Sequence, residues 1–302
     1  MSADDQLYHG FACPQEPFDY EFLEVVATGY ARALCELFLN RFGPAIDAAG
    51  AGLTSLLRTG LAADASFEMV WNLAFGEIKR TLMVPAQSDV LYAATALGLH
   101  LNCWRQAGIW QQNLRVPTRL RWGHWLLPTA DWLAVSYSDV EARIRSRHGR
   151  ADSETVFSYS GNSWTSEGVE ELPQIRTPHR TLDLLRGDLL ETSAFDGIRP
   201  DLAVDLSAAA LTDAIRRAFD LLSCYAGPYL RWVENVICGI IPVRSEAGSY
   251  KSGTNEYRPG VISISFPCPD IVLGELLVHE ATHQYFYLLS RVGEIDDGSD
   301  TT

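Results

Sequence analysis

The chain has 302 residues and is 47% hydrophobic. This length and apolar content exclude a disordered protein and are sufficient for one or two domains with a large core. The net charge of −14 at pH 7 argues against the clustered Lys and Arg that a phosphate backbone requires, so no nucleic-acid partner is expected.

The sequence predicts a cytoplasmic protein that has no membrane partner. The first ten residues, MSADDQLYHG, are polar and acidic, so no signal peptide is predicted. No stretch approaches the roughly 18 apolar residues of a membrane span. The six cysteines are scattered without a CxxC pair, which is typical of reduced thiols in a cytosolic protein.

The first region, residues 1–110, is predicted to be helical. Apolar side chains recur at helical spacing from Phe22 to Leu37 and again from Val90 to Leu101, and residues 66–82 are predicted to form a further helix. Such stripes face a protein core far more often than they contact a cofactor. We therefore interpret this region as core-forming.

The second region, residues 111–200, is predicted to be mixed and to contain strands. The strand candidates are residues 119–124, 132–137 and 156–164. In the first of these, apolar and polar residues alternate. That alternation would place His124 in the core, on the face that carries Trp122.

The third region, residues 201–302, ends in a strand followed by a helix. A helical stripe runs from Leu211 to Leu222, and a second helix is predicted after Pro228. Residues 237–243 and 261–266 are predicted strands, and Pro242 indicates an edge position for the first. We expect an α+β protein whose C-terminal region is zincin-like, and the three regions could together form one domain.

Residues 279–283 read HEATH, an HExxH pattern within a stretch predicted to be helical. Residues four apart lie on the same face of a helix, so His279 and His283 can bind one divalent metal while Glu280 lies beside it. Seven histidines in 302 residues would give this pattern by chance in roughly one such chain in a hundred. The pattern therefore predicts a metal site, and the alternative is a buried helix that carries two histidines.

The sequence around the HExxH pattern predicts a buried helix. Residues 271–289 are apolar almost all round, and Asp270 is a favoured type of N-cap. Glu275 precedes His279 by four residues and could orient that imidazole. An ordinary helix contact is the alternative role for Glu275.

The third metal ligand is not fixed by the sequence. A metzincin places a third histidine six residues after the second, and here that position is Leu289, which excludes that family. A gluzincin takes a Glu from a later helix, and Glu294 is the best local candidate. His124 and His179 are more remote candidates.

Residues 257–289 resemble the HExxH-type peptide-modification family of iron- and 2-oxoglutarate-dependent peptide β-hydroxylases. The resemblance is carried by RPGVI at residues 258–262 and by GELLV at residues 274–278, which leads into HEATH. The predicted strand IIPV at residues 240–243 also resembles the layout of that family, so the resemblance covers roughly the last hundred residues. It implies an enzyme that uses iron(II) and 2-oxoglutarate to hydroxylate a β-carbon in a ribosomally made precursor peptide.

Each candidate function assigns its own roles to the residues near the metal. For the hydroxylase, two histidines and a third ligand, with open positions, suit iron(II), and Arg244 or Arg258 could bind the far carboxylate of 2-oxoglutarate as a bidentate partner. For the alternative, a zinc peptidase, Glu280 would take a proton from the attacking water. A non-catalytic peptide-binding descendant is the third hypothesis.

The polar residues 246–260 join two predicted strands and lead towards the metal helix. Gly, Ser and Asn give them wide backbone freedom, so they could form a mobile cover over the metal site. An ordinary exposed connection is the alternative.

Overall fold

The structure, a computed structural model, describes most of the chain from residue 20 to residue 290. The described ranges are 20–50, 52–64, 67–83, 90–101, 109–112, 121–127, 132–137, 140–160, 163–185, 206–245 and 249–290. Within these ranges, one large cluster of buried apolar side chains draws on all three predicted regions.

The N-terminal region is helical, as predicted. Its helices are α1 (Tyr20–Ala49), α2 (Leu53–Asp64), α3 (Phe67–Val70), α4 (Leu73–Met83) and α5 (Val90–His100). The prediction of one helix over residues 66–82 is wrong, because the chain turns at Trp71 and Asn72. The side chain of Asn72 accepts a hydrogen bond from the backbone N–H of Ala74 at 2.8 Å, so Asn72 begins a new helix.

The middle region forms antiparallel sheets. One sheet has the order β1-β4-β5-β6-β7, and β2, β3 and β8 form a second. The strands of both are β1 (Ile109–Gln112), β2 (Arg121–Trp122), β3 (Trp125–Leu126), β4 (Trp132–Tyr137), β5 (Glu141–His148), β6 (Ala151–Ser160), β7 (Ser163–Ser166) and β8 (Glu170–Glu171). The predicted strand 132–137 is confirmed, whereas residues 156–164 are divided between β6 and β7.

The prediction of a strand over residues 119–124, with His124 in the core, is confirmed at Arg121–Trp122, which form β2, and is wrong at Gly123 and His124. Gly123 has φ +59 and turns the chain back after β2, so His124 lies in a tight turn. Its Nε2 is 3.0 Å from a carboxylate oxygen of Glu171 on β8. His124 is therefore a half-exposed partner of an acidic side chain, and residues 119–120 lie outside the described residues.

The C-terminal sheet is mixed and has the order β12-β13-β11-β10-β9. Its strands are β9 (Gln174–Arg176), β10 (Thr181–Leu184), β11 (Gly239–Arg244), β12 (Ser252–Thr254) and β13 (Val261–Phe266). β11 pairs in parallel with β10 and β13, while β9 and β12 pair antiparallel at the two ends. β9 and β10 precede the predicted boundary at residue 200, and the division into three regions stays a prediction.

Pro242 was expected to mark an edge strand, but β11 is an interior strand. The pairing of β10 with β11 ends at Ile240, whereas β13 pairs with β11 up to Arg244. Proline can be accommodated here because its missing N–H falls on a stretch of β11 beyond the last residue that pairs with β10 in the described part of the chain.

In the described part of the C-terminal region, three helices accompany the sheet: α6 (Ala208–Tyr225), α7 (Gly227–Val236) and α8 (Asp270–Leu289). They confirm the helices predicted from the stripe at residues 211–222, after Pro228 and across the HExxH pattern. The α8 helix packs on α6 and α7, and the phenol of Tyr285 donates to the carbonyl of Trp232 at 3.0 Å.

Two expectations for α8 are wrong. One face is exposed, including Ile271 at 76%, because α6, α7 and β12 cover only part of the helix surface. The N-cap is Pro269, without a side-chain cap bond, and Asp270 is the first helical residue. The carboxylate of Asp270 accepts from Arg217 of α6 at 2.8 and 3.2 Å, which ties the start of α8 to α6.

The structure confirms the α+β class, with helices first, antiparallel sheets in the middle and a mixed sheet with helices at the end. None of the described helices is both long enough and apolar enough to cross a membrane. The four described cysteines, Cys35, Cys224, Cys238 and Cys268, are free thiols.

Candidate metal centre

The two histidines of the HExxH pattern lie one above the other on the exposed face of α8. Their Nε2 atoms are 3.1 Å apart, and their ring centroids are 4.6 Å apart. The side chain of His279 is 60% exposed. Helical spacing explains this arrangement, because residues i and i+4 share a face and lean towards the same turn.

The separation of the two nitrogens fits a shared metal ion. Imidazole nitrogens bind zinc at about 2.0–2.1 Å. Two such bonds at an angle of about 90–110° place the nitrogens about 3 Å apart. The observed distance of 3.1 Å between the two Nε2 atoms agrees with that value. His279 and His283 could therefore hold one divalent metal, with the other coordination positions facing solvent.

Glu280 lies between the histidines in sequence but points into the protein. Its side chain is 3% exposed, and its Oε1 is 3.9 Å from Nε2 of His279. Ser252 Oγ, on β12, donates to the same Oε1 at 2.5 Å. The other oxygen, Oε2, is buried and has no hydrogen-bond partner among the described residues. A buried carboxylate oxygen of this kind usually has a role, since leaving it unpaired costs free energy.

Gln284 fixes β12 and the following turn against α8. The residue is 1% exposed, and its Oε1 accepts from the backbone N–H of Gly260 at 3.1 Å. Its Nε2 donates to Oγ1 of Thr254 and, at 3.5 Å, to the carbonyl of Arg258. Glu280 and Gln284 are one helical turn apart, so two successive turns of α8 bind successive parts of the strand and turn beside them.

The two arginines predicted to bind a cosubstrate lie in different surroundings. Arg258 is 4% exposed in the turn before β13, and burial lowers the pKa of its guanidinium to about 10. Arg244 lies at the end of β11, opposite Phe266, and its side chain is exposed. The carbonyl oxygen of Arg258 accepts from Gln284 of α8 at 3.5 Å.

The structure does not identify a third ligand. Among the residues it describes, no group of three or more His, Cys, Asp or Glu side chains is placed to hold a metal. Glu294 lies in the segment 291–302, outside the described residues. His124 pairs with Glu171, and the backbone N–H of His179 donates to Glu234 at 3.1 Å. Among the described residues, neither remote histidine joins the HExxH pair in a metal-binding group. Glu275 is exposed and lines a groove together with His279.

Sequence reasoning missed two side chains near the histidines. Tyr287 follows His283 by four residues and stacks on it, with ring centroids 6.4 Å apart and planes at 26°. Partial burial, then the charges of Glu256 and Glu280, raise the pKa of the Tyr287 phenol. The spacing of residues 279, 283 and 287 could have indicated this tyrosine. Ser252 had no comparable signal, because its contact with Glu280 depends on how β12 folds back.

Residues 246–260 are more ordered than a plain loop. Residues 246–248 lie outside the described residues, but β12 pairs with β13 and contacts α8. Lys79 of α4 donates to the carbonyl of Glu256 at 3.0 Å and forms an ion pair with its carboxylate at 2.9 Å. The segment therefore provides a fixed strand beside the histidines, and its predicted mobility in solution stays a prediction.

A comparison of this chain with family models, curated proteins and solved structures finds no match.

Proposed function

We propose that this protein is a metal-dependent enzyme that modifies a peptide, with His279 and His283 as metal ligands. The observation that supports this most strongly is the pair of Nε2 atoms 3.1 Å apart on an exposed helix face. Glu280, buried one residue away, adds a negative charge on the inner side of that face, which favours a cation. A helix with two incidental histidines would not require a buried carboxylate beside them.

We propose β-hydroxylation of a ribosomally made precursor peptide as the reaction. The resemblance of residues 257–289 to the peptide β-hydroxylases supports this choice. Iron(II) with 2-oxoglutarate would supply the oxidation: one oxygen atom of O₂ enters a peptide C–H bond, and the other enters succinate as CO₂ leaves. Two imidazoles together with one further ligand would suit that metal, because they leave open positions for the keto acid and O₂.

In this proposal, Arg258 binds the far carboxylate of 2-oxoglutarate. Its burial strengthens any charge-assisted hydrogen bond that it makes, since the surroundings are less polar than water. Arg244, at the exposed end of β11, is the second candidate. A guanidinium can bind a carboxylate through two parallel hydrogen bonds, which an ammonium group cannot do.

The role proposed for Glu280 is to hold in position the face of α8 that carries His279 and His283. Its bond to Ser252 connects the HExxH helix to β12, so the histidines and the strand keep a fixed separation. A hydroxylase requires no base that activates water, and a buried, hydrogen-bonded carboxylate suits this positioning role.

A zinc peptidase is the second candidate function, and one observation favours it. Glu280 Oε1 is 3.9 Å from Nε2 of His279, close enough for the carboxylate to take a proton from a water held between them. Glu280→Gln would abolish peptide cleavage in that case. In the hydroxylase, the same change would leave activity measurable, because Gln can still accept from Ser252.

The test is an assay with a pool of synthetic peptides under two conditions. With iron(II), 2-oxoglutarate and O₂, we expect succinate and peptides heavier by one oxygen atom. Arg258→Lys should raise the 2-oxoglutarate requirement, and Arg244→Lys serves as its comparison. Cleavage with zinc alone would instead establish the peptidase, and peptide binding without either product would indicate a non-catalytic descendant.

A further inference from the structure

A groove runs from His279 towards the junction of α6 and α7. It has a volume of about 1000 Å³, at the upper end of the range for small-molecule sites, so it can hold more than one side chain. One wall is the α6–α7 corner, and the other is the outer face of α8. Tyr250, Lys251 and Ser252 line it beside β12, and His279 also contributes to the lining.

The walls of this groove carry the two most exposed large apolar side chains among the described residues. Tyr225, on the α6 side, is 85% exposed, and Ile271, on the α8 side, is 76% exposed. Tyr250, at the β12 end, is 46% exposed. Isolated exposed apolar residues are ordinary, but three around one concavity indicate a surface that binds an apolar partner.

The charges along the groove nearly cancel, in contrast to the rest of the protein. The charged lining residues among those described are Lys251, Asp270 and Glu275, and Asp270 is neutralised by Arg217 at 2.8 Å. The whole chain carries −14. A nearly neutral apolar groove in an acidic protein fits an uncharged, apolar segment better than a basic one.

The strand beside the groove can pair with an extended backbone. Among the described residues, β12 forms one edge of its sheet. The carbonyl of Lys251 accepts from the N–H of Ser265 on β13 at 2.9 Å. Because successive residues of a strand direct their backbone groups to opposite sides, the N–H and C=O of Ser252 face the open edge. A peptide added there would pass close to His279, which lines the same groove.

We infer that an extended peptide segment pairs with the open edge of β12 and places a bulky apolar side chain between Tyr225 and Ile271. This inference rests on the proposed function, since it makes the occupant the substrate peptide and adds an apolar residue to its recognition. The backbone pairing would fix the register of the peptide, and the apolar groove would choose the residue that flanks the modified position. Tyr225 and Ile271 are then specificity-determining residues outside the metal centre.

The test measures peptide binding in the presence of a chelator, so it does not depend on the metal. A phage-displayed library of random dodecapeptides is selected on the full-length protein, and an enriched sequence is synthesised with a fluorescein label. We expect enriched peptides to share Leu, Ile, Phe, Tyr or Trp. The Kd for the labelled peptide should weaken about tenfold in Tyr225→Lys and in Ile271→Glu, because each variant puts a charge where an apolar contact forms.

The variants are chosen so that folding is preserved. Lys at the end of α6 and Glu in the first turn of α8 suit the dipoles of those helix termini. Val140→Lys and Val140→Glu are matched controls, since Val140 is 63% exposed and does not line the groove. N-methylation of the peptide at successive positions should weaken binding at every second position if the backbone pairs with β12.

Several outcomes would overturn the inference. They are failure of the library to enrich any sequence, enrichment of charged peptides without apolar residues, and equal weakening by the Val140 controls. Insensitivity to N-methylation at all positions would overturn the strand pairing. If apolar peptides bind as expected while the metal assays fail, the groove remains a peptide site and the enzymatic function is wrong.

Discussion

Ser252 Oγ donates a 2.5 Å hydrogen bond to Glu280 Oε1, and this contact joins the edge strand β12 to the carboxylate of the HExxH pattern. The two residues are 28 positions apart in sequence and lie on different elements. Because the carboxylate is buried, the hydroxyl contributes more here than a hydrogen bond at the surface would.

Ser252→Ala should lower the free energy of unfolding by about 1.5–3 kcal/mol, since it removes the hydroxyl partner of a buried carboxylate. Urea unfolding followed by circular dichroism measures the change. Ser263→Ala is the matched control, because Ser263 donates to the carbonyl of Gly253 at 3.0 Å in the same sheet. If Ser252→Ala lowers the free energy of unfolding no more than Ser263→Ala does, the hydrogen bond from Ser252 does not stabilise the buried Glu280 carboxylate.

Gln284→Met should destabilise the protein by about 2–4 kcal/mol, because it removes the acceptor of the Gly260 N–H and both donors of the amide. Amide exchange in β12 should also become faster. Thr282→Ala, on the exposed face of the same helix, should change stability by about 0.5 kcal/mol or less. Similar losses in the two variants would mean that Gln284 does not hold the strand.

The same substitution should have opposite effects at two helical glycines. A Cβ at Gly76 on α4 would overlap the carbonyl oxygen of Tyr257 and lie 2.8 Å from Cδ of Pro259. Gly76→Ala should therefore lower the free energy of unfolding by more than about 2 kcal/mol. Gly29 on α1 has nothing within 4 Å, and Gly29→Ala should stabilise the protein by about 1 kcal/mol. Thermal unfolding of the two variants should give shifts of opposite sign. A neutral Gly76→Ala would contradict the close packing of α4 against the turn before β13.

Asp183 predicts a pH-dependent contribution to stability. Burial raises the pKa of its carboxyl, although the charge of Arg121 opposes the shift. A raised folded-state pKa means that ionisation costs more in the folded state. The free energy of unfolding should therefore fall as the pH rises from about 3.9, the unfolded value, through the folded pKa.

Asp183→Asn should remove this fall, and urea unfolding at several pH values above 3.5 measures it. Asp152→Asn is the control, since Arg147 lowers the pKa of exposed Asp152, and its small effect should have the opposite sign. If wild type and Asp183→Asn keep a constant difference at every pH, the burial of Asp183 does not control its ionisation.

Local patterns were sufficient to predict much of the C-terminal region. The strand 261–266 and the helix with the HExxH pattern follow from alternation and from 3.6-residue periodicity, and both lie where predicted. His279 and His283 share a face for the same local reason. These features depend only on residues that are close in sequence.

The errors and omissions occur where distant residues decide the structure. His124 leaves its predicted strand because Gly123 adopts a positive φ. Pro242 can lie in an interior strand because, among the described residues, β10 pairs with β11 only as far as Ile240. The role of Ser252 depends on β12 folding back onto β13. No periodicity within the segment itself encodes those contacts.

The most direct test of the central claim is the metal content of protein purified without oxygen and loaded with iron(II). We expect one equivalent in the wild type and none in the His279→Ala, His283→Ala double variant, because both nitrogens that would hold the ion are then absent. Ser263→Ala, which leaves the helix face intact, should keep the full equivalent. A double variant that retains the wild-type metal content would contradict a metal site at the HExxH pattern.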